Sequence, residues 1–287
     1  MTAEHRTPSA GHRPPRLGRI PWINCYPVYA GLDRRHVPID AELVTGTAAD
    51  LNDLLAAGEL QVSVVPAVEY ARNAAGYHLL PDLAISCDGP VRSVALFSKR
   101  PVHELDGAMV LRTASSRTSI LLLELLCRHR WRVQPRFATV RAESSDLDAL
   151  AGFPHQAVLV IGDAALLLAA RAAYPYMTDL GLAWKEWTGL PFVFAVWAAR
   201  RDADRESVAH LHGALLASRS WGLAHLDELA VAAADSTGIA VRTTREYLAD
   251  LDYALSYRHL AGLTDFFRRL AQDGMVPDGS LSFITAA

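Results

Sequence analysis

Lysine is nearly missing: among 28 basic residues only Lys99 and Lys185 are lysines. Lys185 sits in a charged, helical context, so a Schiff-base lysine and imine chemistry are not expected. Cysteine is scarce too. Cys25, Cys87 and Cys127 are odd in number and widely spaced, with no Cys-x-x-Cys pair, which argues against a disulfide framework. His-Glu-x-x-His is absent, and His210 and His212 would point to different faces of a helix, leaving no tetrahedral metal-ligand set. A Walker loop and a Gly-x-Gly-x-x-Gly turn are also lacking, so nucleotide chemistry has no phosphate cradle. No cofactor and no metal are therefore expected.

Long apolar runs are missing as well. Ile120 to Leu123 stops far short of a membrane span, so no membrane partner is expected. Formal net charge is −3 and the pI is about 6.4, with no basic stripe carrying interleaved aromatics, which makes nucleic acid an unexpected partner. Residues 1–16 are rich in Pro, His and Arg and read as a disordered arm. That arm has no apolar core of the kind a secretory signal needs, and the expected location is cytoplasmic.

What is present suits a globular protein. The chain has 287 residues, 51% hydrophobic and 21% charged, enough for two domains or one large one with a sizeable core. Gly18 to Tyr29 is the stretch where chemistry is expected. Its apolar run, Ile20 to Ile23, breaks at Asn24-Cys25-Tyr26-Pro27. That is a strand-to-helix turn, with Pro27 suited to the first turn of the helix because it needs no N–H donor there. Asn24 would end the first strand, at the edge where ligands bind in open α/β sheets. On local sequence alone the plain helix cap is the favoured reading, as Asn commonly caps.

Strand and helix signals then alternate. Strands are expected at 39–44, 62–65, 79–87, 91–98, 108–111, 135–137, 157–161 and 192–199, and helices at 48–57, 119–129, 164–173 and 180–188. Thr47 with Asp50 makes a weaker version of the capping box, and Gly58 ends that helix. From Asp202 onward only helices remain, near 203–220, 223–235, 242–254 and 257–273. The alternation indicates α/β with largely parallel strands.

Three turns each follow a strand and open a helix: Thr45 to Thr47, Thr113 to Thr118, and Gly162-Asp163. A helix N-terminus offers unpaired N–H groups and the positive end of the dipole. Ser115, Ser116 and Thr118 add hydroxyls there, which suits a carboxylate. Each turn alone reads equally well as an ordinary N-cap.

Taken together, several segments resemble the chorismate dehydratase family of the futalosine route to menaquinone. They are Arg19 to Pro27, Thr45-Gly46-Thr47, Leu80 to Val91, Ser115 to Ser119, Leu159 to Leu166, Asp179 to Gly181 and Trp184 to Trp197. Trp22 and Tyr26 differ in type from the family pattern but stay bulky and apolar. The resemblance implies a two-lobed fold similar to type II periplasmic binding proteins, with the ligand in the cleft. Lobe 1 would span 17–98 plus 192–287 and lobe 2 would span 99–191, with Val91–Ser98 and Phe192–Ala199 as the crossings.

It implies a cofactor-free lyase that takes chorismate to 3-[(1-carboxyvinyl)oxy]benzoate, with Asn24 as the catalytic residue. Thr47, Ser86, Asp88, Ser115, Ser116, Arg117, Thr118, Gly162 and Asp163 would bind substrate. The motif turns carry no clear general base, which points to the substrate's own enolpyruvyl carboxylate as proton acceptor. A related enzyme of the same route, of the 1,4-dihydroxy-6-naphthoate synthase type, should show a well-placed catalytic His. A non-catalytic solute-binding module should show an export signal.

Overall fold

The computed structural model describes residues 14–113, 117–140 and 144–284. Its strands form two five-stranded mixed sheets. The first holds β1 (Arg16–Arg19), β2 (Glu42–Thr45), β3 (Val62–Pro66), β4 (Tyr77–Cys87) and β10 (Phe192–Arg200), in the order β2-β1-β3-β10-β4. The second holds β5 (Val94–Ser98), β6 (Met109–Thr113), β7 (Arg136–Val140), β8 (Ala157–Ile161) and β9 (Tyr176–Asp179), in the order β7-β6-β8-β5-β9. Each sheet with its helices is one lobe, and the two-lobed α/β expectation stands.

Strand direction differs from the expectation. β1, β2 and β3 run parallel, as do β6, β7 and β8. The strands near the lobe junction do not: β10 is antiparallel to β3 and β4, and β5 is antiparallel to β8 and β9. Both strands arrive from the other lobe rather than through a βαβ crossover, so the rule that makes neighbours parallel does not act on them. The expected crossing at Val91–Ser98 also shifts. β5 pairs wholly within the second sheet, so the chain changes lobes ahead of Val94.

Helices follow the sequence closely. α1 is Tyr26–Asp33, α2 Ala48–Ala57, α3 Ala67–Arg72, α4 Arg117–Leu125, α5 Gly162–Arg171 and α6 Leu180–Thr188. The C-terminal helices are α7 (Arg205–Ala224), α8 (Leu226–Thr237), α9 (Val241–Asp250) and α10 (Tyr257–Gln272). α7 lies along α1 so closely that a Cβ at Gly222 would meet the Pro27 carbonyl oxygen at 2.1 Å, and only glycine fits there. A buried hydrogen-bond chain runs from Trp197 Nε1 to Tyr29 Oη (3.0 Å), and from that hydroxyl to the Gly18 carbonyl (2.8 Å). It joins β10, α1 and β1 beneath the Asn24 turn. No described helix is long and apolar enough to cross a membrane.

The first crossing is pinned by Asp179. Its carboxylate accepts the N–H groups of Val91 (3.1 Å) and Arg92 (2.6 Å) while capping α6 through Leu182 N–H (3.0 Å). Arg92 has φ +63°, a left-handed conformation that those bonds help hold.

Candidate functional site

Between the lobes lies a cavity of about 80 Å³. Its walls are mostly apolar, with Ile20, Trp22, Val64, Ile161 and Phe194 among them. Besides Ser93, its polar groups come from three places. The first is the turn before α1. The apolar run from Ile20 does not continue as strand: β1 ends at Arg19, and Ile23–Cys25 forms one turn of 3-10 helix leading into α1. Asn24 sits in that turn and lines the cavity.

Cys25, not Asn24, is the N-cap of α1, and no side chain caps that helix. The Asn24 Oδ1 atom is buried without a hydrogen-bond partner. A buried orphan carbonyl of this kind costs free energy, on the order of 1–3 kcal/mol, so the capping reading fails and a ligand-facing reading gains.

The second place is the start of α4. Arg117, Thr118 and Ser119 all line the cavity, and Arg117 is the one charged side chain among the described lining residues. Arg117 Nη1 donates to Glu69 Oε2 at 2.6 Å, and Thr118 Oγ1 accepts the Val68 N–H at 3.2 Å. Both contacts run from α4 of one lobe to α3 of the other. Ser115 and Ser116 lie outside the described residues.

The third place is the start of α5. Gly162 lines the cavity with φ +62°, and its N–H donates to the Ser93 carbonyl at 2.7 Å. Asp163 follows it. Burial pushes its carboxyl up to about 6, the Ile23 backbone N–H offsets part of that shift, and its Oδ1 has no partner. Burial also raises the Cys25 thiol to about 12, with Asp163 adding to the shift, which leaves a poor nucleophile and a poor base at neutral pH.

Three expected site residues lie elsewhere. Thr47 is exposed; its hydroxyl donates to Asp50 Oδ2 (2.7 Å) and accepts the Asp50 N–H (3.2 Å), and it is Ala48 that reaches the cavity. Ser86 is fully buried and its hydroxyl donates to the Asp252 carbonyl at 2.9 Å, tying β4 to the C-terminal segment. Asp88 pairs with Lys185 and with Arg258 (3.1 Å). It lines an open depression of about 660 Å³ with Asp82, Arg219, Asp250 and Asp252, apart from the cavity between the lobes. Cap geometry turns Thr47 away from the cleft, strand alternation turns Ser86 away beside the lining Ile85, and Asp88 lies past the end of β4.

Other lining residues had little sequence signal. Ser93 follows a crossing turn, and its hydroxyl accepts from Tyr247 Oη at 2.8 Å, a pairing across 154 residues. Ser119 could have been found by extending the hydroxyl run of Thr118 by one residue. Among the described residues no group of three or more His, Cys, Asp or Glu side chains is arranged to hold a metal ion.

Comparison with known proteins gives the same direction. Residues 15–272 match the model of a family described as menaquinone biosynthesis. A chorismate dehydratase of Thermus thermophilus is 33% identical over 268 residues, covering 87% of this chain and 95% of that one. Among solved structures, a protein of Archaeoglobus fulgidus superposes with a TM-score of 0.76 at 20% identity, covering 91% of this chain and 98% of the other. The periplasmic aliphatic sulphonate binding protein of Escherichia coli superposes with a TM-score of 0.64 at 13% identity, covering 95% and 94%. At these identities the structural likenesses speak for the fold alone, that of periplasmic binding proteins.

Proposed function

This chain belongs to the menaquinone-biosynthesis family, and we propose that it dehydrates chorismate to 3-[(1-carboxyvinyl)oxy]benzoate and water. The observation that carries the reading at the site is Asn24, whose side chain does not cap α1 and whose Oδ1 is buried without a partner, at a mostly apolar cavity with one cation, Arg117, among its described lining residues.

The chemistry removes the proton at C3 and the hydroxyl at C4, and the ring becomes aromatic. Aromatisation drives the reaction, so the protein has mainly to lower the barrier. The apolar walls suit the ring. Arg117, the Thr118 hydroxyl and the positive end of the α4 dipole suit a carboxylate, since charge-assisted hydrogen bonds are the strong ones. Asn24 can donate to the C4 hydroxyl or orient the enolpyruvyl group without repelling a dianion. The described lining residues include no His, Asp or Glu to act as base. The enolpyruvyl carboxylate lies close to the C3 proton, and a group held in register within one molecule reaches very high effective molarity. The substrate then supplies its own base, and the site selects the reactive conformer.

At about 80 Å³ the cavity is smaller than the roughly 300–1,000 Å³ of ordinary ligand sites, so substrate entry requires the lobes to part at the crossings. The test is direct. The purified protein is incubated with chorismate, ultraviolet absorbance is followed, and the product is identified by mass. Loss of one water per chorismate is expected. Binding without turnover would overturn the lyase reading and leave a ligand-binding protein.

A further inference from the structure

Arg117 is held from behind by a carboxylate that the cavity itself does not contain. Glu69 belongs to α3 in the opposite lobe and is only 7% exposed. Its two oxygens are separately engaged: Oε1 accepts Asn73 Nδ2 at 2.7 Å, and Oε2 accepts Arg117 Nη1 at 2.6 Å. The Arg117 side chain remains 46% exposed, and no other partner for its guanidinium occurs among the described residues. One edge of the guanidinium is therefore clamped, and its other N–H groups are left for the cavity.

A buried carboxylate needs its counter-charge, because removing one partner of such a pair leaves an uncompensated charge. While the lobes are closed, Arg117 cannot swing away to a ligand without stranding Glu69. It must serve both at once. Glu69 thereby fixes which guanidinium edge faces the ligand and cancels most of the positive charge that a dianion would otherwise meet.

We propose that Glu69 is a positioning residue of the carboxylate subsite, holding Arg117 by one edge and tempering its charge so that dianionic substrate and product bind reversibly. This deepens the dehydratase reading and rests on it. Arg117 touches the ligand; Glu69 acts through it.

The probe is the product, 3-[(1-carboxyvinyl)oxy]benzoate, titrated calorimetrically into wild type, Glu69→Gln, Glu69→Asp, Arg117→Gln and the Glu69→Gln/Arg117→Gln double variant. Glutamine keeps the shape and an acceptor for Nη1 but removes the negative charge. Glu69→Gln should bind product about tenfold tighter and lower KM for chorismate by a similar factor, with a steeper salt dependence. Glu69→Asp, which keeps the charge, should stay near wild type. In the double variant the tightening should vanish, and that variant leaves no buried unpaired charge to threaten folding. Unchanged affinity in a folded Glu69→Gln, or tightening that persists without Arg117, overturns the proposal. Failure of the wild type to bind product or turn over chorismate would instead overturn the dehydratase reading, a distinct result.

Discussion

Replacing Asn24 by Ser separates two roles that Asn commonly plays. Both residues cap helices well, and here the Asn24 side chain makes no cap at α1. Asn24→Ser should therefore not lower the melting temperature, and should lower turnover by about a hundredfold, or roughly 2.7 kcal/mol of barrier. Steady-state dehydration of chorismate with a parallel thermal melt checks it. Near-normal turnover would send the search for chemistry elsewhere in the cleft. Asp163 makes a second case, in which site and stability oppose each other. Its carboxyl rises from 3.8 to about 6 on folding because burial disfavours the charged form. The facing titratable groups, Cys25 and Tyr247, are themselves neutral at these pH values because burial raises both. The folded state thus holds a proton that the unfolded state has lost. Stability falls as pH rises from about 4 through 6 and is then level, a penalty of up to about 3 kcal/mol. Asp163→Asn should melt higher than wild type at pH 7.5 and equal to it at pH 3.5. A melt difference that does not change with pH would contradict the assignment.

Among the elements, α4 carries the most weight. Its first turn projects Arg117, Thr118 and Ser119 toward the cavity, and its apolar leucines, Leu121 to Leu123 and Leu125, anchor the helix in the core. Thr118 has two demands on one hydroxyl: the oxygen accepts the Val68 N–H, and the hydrogen is left for a carboxylate. Thr118→Ala should weaken product binding about tenfold and cost about 1 kcal/mol of stability, whereas Thr118→Ser should restore both. Calorimetric titration and denaturant melts separate the two effects. If Ser fails to rescue binding, the methyl group rather than the hydroxyl makes the contact. α4 also continues past Leu125 as a π-helical turn, Leu126–Trp131, that ends at Arg132 with φ +57°. The apolar run ends here at Leu126 and Cys127, and the charged stretch after it carries no sequence sign of the change of helix type.

For the whole molecule, the small cavity and the contacts across it describe a closed arrangement. Besides Arg117 with Glu69 and Thr118 with Val68, Ile23 N–H faces the Asp163 carboxyl across the cleft. Cys25 reports on opening, since it lines the cavity yet is only 3% exposed. Cys87 and Cys127 are equally buried but away from the cavity. A thiol reagent should modify Cys25 ahead of the other two, slowly because the thiol is raised to about 12, and saturating product should suppress the reaction. Peptide mass analysis of the modified chain gives the order. Equal slow labelling of all three, insensitive to product, would mean that global unfolding rather than lobe opening exposes them.

The sequence by itself determined the local elements and the family. Thr47, Asp50 and Gly58 mark the ends of the ten-residue α2, and the apolar runs at 62–65 and 157–161 are strands whatever they pair with. Such signals are short-range, so a chain read in order contains them. β9 escaped because Tyr176–Asp179 is an edge strand, mostly exposed, with neither an apolar run nor clear alternation. Only the tertiary structure decided strand direction, because side-chain period is the same in parallel and antiparallel ladders. It also decided which motif residues meet. Ser86 and Asp88 sit in a segment typical of the family, yet strand alternation and the C-terminal chain carry them to other partners. Ser93 and Glu69 carry no motif of their own, and they reach the site through Tyr247 and Arg117, 154 and 48 residues away. A contact that closes such a loop is bounded by the packing of both lobes, and no window of sequence contains it.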